Sequence, residues 1–285
     1  MANMRILHTN VIDAASNLTS TPACVSTMPI SNIKMPERGK FARMVGATSW
    51  TVTGEVMGAI AGFSIVGHNF TGGATVRLRL YSDIAMTAVV YDSTALAVGT
   101  PQTWGNPAAS PNGGLAWGVL PWMDTGLLPG TPEYFTIWFA SVGNAAAFKL
   151  EVVDAGNADG FLQMGRIYMG SYWSPLVNVA YGLKKAWKEA SVLARTDGGS
   201  LRTEGYLPYR FFSANFAYMA ESDRGAFDTL LRKIGKRVDV LVSFYPGLGG
   251  ALERDYTAAV KFTNLPDLSS VAASYFDTSA ELEEI

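Results

Sequence analysis

The chain has 285 residues, 48% hydrophobic and only 16% charged, with a net charge of −2, so no basic field is present to attract nucleic acid and no nucleic-acid partner is expected. The single cysteine, Cys24, rules out an intrachain disulfide framework and is expected as a small buried hydrophobe. No run of about 18 uncharged apolar residues offers a membrane span, and MANMRILHTN lacks the apolar core of a signal peptide, so neither a span nor standard export is expected.

From Arg5 to Ile12, RILHTNVI reads as a short strand, and the following DAASNLTSTPA as a polar loop, together an N-terminal arm that docks late or onto a neighbour. Past an irregular stretch around Pro29, Pro36 and Gly39, the runs Ser49 to Thr53, Met57 to His68 and Ala74 to Tyr81 predict strands separated by Gly-rich turns. In the last of these Val76, Leu78 and Leu80 alternate with Arg77 and Arg79, the pattern of a half-buried strand with a charged outer face. Tyr134 to Ala140 and Ala147 to Val153 repeat the theme. Many short strands without a helix predict a β-sandwich or jelly roll over residues 1–165, and the low charge with 29 Gly, 14 Phe and 12 Tyr suits a surface partly covered by partners.

Between these strands, Val98 to Gly130 is a long loop rich in Pro and Gly that carries Trp104, Trp117 and Trp122. Loops of this length usually have a task. The three indoles would form a platform that stacks on a sugar ring or anchors a partner protein, or else cover the open end of the sandwich.

A boundary is placed near Asp159-Gly160, because residues 1–165 hold 8 Lys+Arg and 10 Asp+Glu whereas the shorter remainder, 166–285, holds 14 of each. Gly165 to Trp173 predicts a strand, and the Asp197-Gly198-Gly199 turn between Ala186–Thr196 and Leu201–Tyr206 predicts a hairpin. The strongest helix signal follows. Phe227, Leu230, Leu231 and Ile234 fall at i, i+3, i+4 and i+7, with Asp228, Arg232 and Lys233 on the other face. This predicts an amphipathic helix at about 222–235, started by Ser222 as N-cap and stopped by Gly235. Its flanks, Tyr209 to Met219 and Val238 to Tyr245, are strand-like. One helix packed on a β-sandwich is favoured over a βαβ crossover, since no second helix of this quality occurs. SAELEEI at the end reads as a mobile acidic tail.

Chemistry is sparse. His8 and His68 lie in different strands with no neighbour at metal-ligand spacing, so neither a metal nor a cofactor is expected. GFSIVG around Ser64 has the wrong spacing for a nucleophile elbow. DAGNADG, Asp154 to Gly160, places Gly156 and Ala158 where a calcium loop needs oxygen ligands, so it is read as a tight turn. No enzyme is expected.

Three segments, RILHTNVIDAA, VVDAGNADGFLQMGRIYMGSYWSP and YRFFSANFAYMAESDRGAFDTLLRKIGKRVDVLVSFYP, resemble structural proteins of the tail tip or baseplate of long-tailed bacteriophages. The resemblance implies a mainly β protein, with a jelly-roll-like sandwich over 1–165 and a tail-tube-like sandwich with one flanking helix over 166–285, as in distal tail proteins. It also implies a homo-oligomeric ring around the tail channel, a hexamer among the options, in contact with tube, hub or tip proteins of a virion made in the bacterial host cytoplasm. A carbohydrate-binding or receptor-binding module with a glycan partner is the alternative, resting on the tryptophan loop.

Overall fold

The computed structural model describes residues 2–46, 48–98, 134–248, 250–272 and 274–285. In chain order its strands are β1 (Arg5–Leu7), β2 (Ser16–Thr21), β3 (Ala42–Arg43), β4 (Ser49–Val66), β5 (Thr75–Tyr81), β6 (Val89–Asp92), β7 (Leu96–Ala97), β8 (Tyr134–Val153), β9 (Gln163–Met164), β10 (Ile167–Gly170) and β11 (Tyr172–Trp173). There follow β12 (Lys184–Lys188), β13 (Val192–Arg195), β14 (Leu201–Glu204), β15 (Tyr209–Ala220), helix α1 (Glu221–Ile234), β16 (Val240–Ser243), helix α2 (Gly250–Asp255), β17 (Thr257–Phe262), β18 (Ser269–Ala272) and β19 (Tyr275–Glu284). The protein is mainly β, as its sequence predicts.

A seven-stranded sheet runs β10-β4-β8-β5-β6, with β2 also on β4 and β7 also on β5. The two separate strands expected over 49–68 are one 18-residue strand, and those over 134–153 are one 20-residue strand. They pair with each other through register shifts between Glu55 and Gly62. Bulges of this kind bend a long strand and raise its twist, so one pair of strands curls around its own core. Gly58, at φ 144°, sits in this irregular stretch. The alternation read in β5 holds: Val76, Leu78 and Leu80 are buried, while Arg77 and Arg79 face out to Asp92 and Glu151.

An eight-stranded sheet runs β11-β1-β16-β17-β19-β15-β12, with β18 also on β19. Every strand pairing among the described residues is antiparallel, and β17 and β19 lie between β15 and β16. The β15-α1-β16 unit is therefore no parallel crossover. Helix α1 packs on this sheet through Phe227, Leu230, Leu231 and Ile234, all buried. The expected N-cap is corrected by two residues, from Ser222 to Ala220: the helix begins at Glu221, Ala220 caps it without a side-chain bond, and Gly235 closes it at φ 57° by donating to the Leu231 carbonyl at 2.8 Å.

Division of the chain near residue 165 does not coincide with the division between sheets. β1 pairs with β16 and β11 in the second sheet, and β10 pairs with β4 in the first. The N-terminal arm thus docks within its own chain, and its supposed loop contains β2, which pairs with β4. Where the strands change sheets, a Cβ on Gly170 would fall 1.8 Å from the Thr9 carbonyl oxygen, so only glycine fits. The sheets pack face to face through Leu7, Leu241 and Ala259 against Val66 and Tyr168. Consequently β16 is buried on both faces, with Val240 and Val242 toward the helix-side core and Leu241 toward the first sheet.

The acidic tail is likewise ordered. β19 is an inner strand, with Ala280 and Leu282 in the core below α1 and Glu284 buried. The pattern is period two with an acid at an inward position, and the acid is tolerated because it is paired.

Candidate functional site: a cavity at the seam

Two buried charge clusters lie along the seam between the sheets. In the first, the carboxylate of Glu284 accepts from the Arg210 amide and Nε at 3.0 Å each on Oε2, and from Arg210 Nη2 at 2.5 Å and the Tyr134 hydroxyl at 3.0 Å on Oε1. Tyr134 in turn accepts from the Ala259 amide at 3.0 Å. Burial alone would raise the Glu284 carboxyl, but hydrogen bonds and charge from Arg210 outweigh it and hold the group below the usual range. Burial, and then the Glu284 charge, push the Tyr134 hydroxyl up, which keeps it a proton donor.

In the second cluster Arg166 is the hub. Its Nε donates to Asp239 Oδ2 at 2.6 Å, Nη2 to Asp13 Oδ2 at 3.1 Å, and Nη1 to the Lys34 carbonyl. The Tyr168 hydroxyl also donates to Asp239 Oδ2, at 2.5 Å. Arg166 and Asp239 are buried, and such ions persist only when both partners are hydrogen-bonded, as both are here, whereas Asp13 reaches solvent.

Between the clusters opens a cavity of about 490 Å³, reached by the Pro36–Phe41 segment, the end of β4, the start of β8 and the Gln163–Arg166 connection. Its walls are mainly apolar, with Phe41, Val66 and Leu207 among them, and Arg38, His68 and Arg166 supply polar groups. His68 is 6% exposed and stacks on Phe70 with ring centroids 4.5 Å apart. Its Nδ1 accepts from the Phe70 amide at 3.2 Å, so the neutral ring carries its proton on Nε2, and that nitrogen has no partner among the described residues. Burial drives the imidazole down to about 3, only partly opposed by Asp154.

Among the sequence-predicted residues, Phe227, Leu230, Leu231 and Ile234 come together as the buried face of α1. Trp104, Trp117 and Trp122 lie outside the described residues. Ser64 is a buried strand residue bonded to Thr136 at 2.8 Å, and Asp154 caps the Thr71 amide at 2.8 Å from within its turn. No group of three or more His, Cys, Asp or Glu side chains suited to a metal occurs among the described residues. The seam residues Arg210, Glu284 and Arg166 were missed by sequence reasoning. One signal was available: Arg210 stands in line with inward Phe212, Ala214 and Phe216, and Glu284 in line with Ala280 and Leu282.

No family model and no curated protein matches the chain. Similar solved structures are a family 32 carbohydrate-binding module from Clostridium perfringens in complex with GalNAc-β-1,3-galactose, at 12% identity over 57% of this chain and 100% of that one with a TM-score of 0.35. A second family 32 module from the same organism, in complex with galactose, shows 10% identity over 60% and 99% with a TM-score of 0.34. A fucolectin from striped bass serum shows 10% identity over 96% and 92% with a TM-score of 0.36. At these values the likeness extends to no individual site residue.

Proposed function

We propose that this chain is a non-catalytic structural subunit that assembles with copies of itself, as a ring component of a phage tail tip or baseplate in contact with tube, hub or tip proteins. The observation that carries the assembly reading is the hairpin β13–β14. It forms its own two-stranded sheet beyond the edge strand β12, and Val192, Leu193, Ala194 and Leu201 on it are all exposed. A lone hairpin is marginal in water, and exposed apolar strands with open edges are templates for another chain. The tail-tip setting comes from the sequence resemblance alone. Light scattering on the purified protein and imaging of any particles it forms test the reading. A closed ring with the hairpin at the subunit contact is the expected result, and a monomer at every concentration and in every particle would refute it.

A second reading, glycan or receptor binding, rests on a different feature. Tyr218, held at φ 57° in an irregular stretch of β15, and Tyr275 expose their rings edge to face at 6.4 Å, while Asp277 accepts from the Tyr218 amide at 2.8 Å. Exposed aromatic faces beside a carboxylate suit a sugar ring and its hydroxyls. Glycan-array binding that disappears in Tyr218→Ala while assembly is unchanged would favour it.

A further inference from the structure

The seam cavity contains a cation whose hydrogen bonds are unfilled. Arg38 lies beside the Arg210–Glu284 cluster in an ion pair, with Nη2 3.2 Å from Glu284 Oε2, yet neither its Nε nor its Nη2 forms a hydrogen bond among the described residues, and both atoms are buried. The reason is on the acceptor side. A carboxylate offers about four lone-pair sites, and Glu284 already receives the Arg210 amide, Nε and Nη2 and the Tyr134 hydroxyl. Two guanidinium groups therefore share one saturated carboxylate, leaving an uncompensated positive charge beside the cavity. Buried donors without acceptors are costly, and the Nε and Nη2 edge of arginine matches a carboxylate in a bidentate fork. A second unbonded donor, the Nε2–H of His68, belongs to a residue lining the same cavity. The volume of about 490 Å³ and the mainly apolar walls are those of a small-molecule site with a few placed polar groups.

We propose that this cavity binds a small organic carboxylate with an apolar body, its carboxylate on the Nε and Nη2 edge of Arg38 and its body against Phe41, Val66 and Leu207. Lys40 at the same lining adds to the positive field, and Glu37 beside it opposes a second negative charge, so a monocarboxylate is preferred to a dicarboxylate. Such a ligand would bridge segments that belong to both sheets.

The test titrates the full chain with 4-phenylbutyrate and with its neutral amide, following the backbone amides of Gly39, Gly67 and Gly165 by NMR. The acid is expected to shift these signals and to bind about tenfold more tightly than the amide, the worth of one charge-assisted hydrogen bond or more. Arg38→Gln, checked for a native melting profile, is expected to bring the acid down to the level of the amide. Equal affinity of acid and amide for the wild-type chain, signals that move elsewhere or not at all, or a folded Arg38→Gln that binds the acid as before would each overturn the proposal. The acid and amide comparison needs no variant, so it decides even if Arg38→Gln unfolds. Loss of ring assembly would leave this result untouched, because the cavity lies within one chain.

Discussion

At the seam, charged side chains are buried and the strands around them are covered on both faces; on the β13–β14 hairpin, apolar side chains are exposed and the described residues leave both faces open. Arg210 is 2% exposed and Leu193 is 65% exposed, the reverse of their usual environments. Each departure has a different remedy. Arg210 with Glu284 and Arg166 with Asp239 are satisfied inside the chain, Arg38 beside them being the exception, so the clusters around these pairs tie one sheet to the other. The exposed leucines have no such solution among the described residues, and under the assembly proposed above a second copy would supply it. Polar groups placed inward here mark internal architecture, and the apolar groups placed outward are the ones on which the assembly proposal rests.

The largest effect is expected from breaking the seam. Arg210→Met leaves Glu284 buried without its main partner, and chemical denaturation should show a loss of about 3–5 kcal/mol. The double variant Arg210→Met with Glu284→Met removes both charges and should recover most of that loss, because a buried pair replaced by apolar groups is often near neutral. If the double variant is no better than the single one, the cluster contributes more than charge compensation.

Truncating the face of α1 comes next. Leu230→Ala or Leu231→Ala should cost about 2–5 kcal/mol, since both side chains are buried in the core between helix and sheet. An effect near zero would mean that the helix is not docked as described.

A third expectation separates the seam groups by pH. His68 is held neutral by burial, down to about 3, whereas an unfolded histidine protonates near 6.5. The unfolded chain therefore binds the extra proton first, and stability should fall as pH drops from about 6.5 toward 3, by about 1.4 kcal/mol per pH unit. Glu284 has a lowered folded value, so its contribution is present above the ordinary glutamate range and is lost only below it. Thermal unfolding of His68→Gln against wild type between pH 7 and 5 isolates the histidine, and a profile as steep as wild type would assign the acid sensitivity elsewhere.

What the sequence made legible follows the same division. The α1 face was readable because four apolar residues repeat at helical spacing with a glycine stop, and β5 because apolar residues alternate with arginines. The Asp197-Gly198-Gly199 turn was readable too, and the structure closes it with the Gly199 amide donating to the Thr196 carbonyl at 2.8 Å. The charged tail was misread because Glu284 interrupts an apolar inward row, and its justification, Arg210, is 74 residues away in the chain. β2 was misread for the opposite reason: SNLTST is almost wholly polar, and it becomes a strand by pairing along β4. In both cases a partner distant in sequence overrode the local pattern.

The smallest effect on folding, and the largest on assembly, is expected on the hairpin. Leu193 pairs with Thr203 and Arg195 with Leu201, so Leu193 and Leu201 project from the same face of β13–β14. Replacing both by Asp places two like charges on that face. Because neither side chain belongs to a core among the described residues, each substitution should change stability by no more than about 0.5 kcal/mol. If that face meets a second copy, however, the two carboxylates must be desolvated in the contact, and the mass measured by light scattering should fall toward that of the monomer. Charge repulsion between neighbouring hairpins is a competing explanation, and salt separates the two: repulsion between exposed groups is screened as ionic strength rises, whereas the cost of burying a carboxylate in an apolar contact persists. Loss of the oligomer that high salt does not restore would place the apolar face of the hairpin in the contact. An unchanged mass with an unchanged melting temperature would remove the hairpin from the assembly reading and leave its exposed leucines without a role.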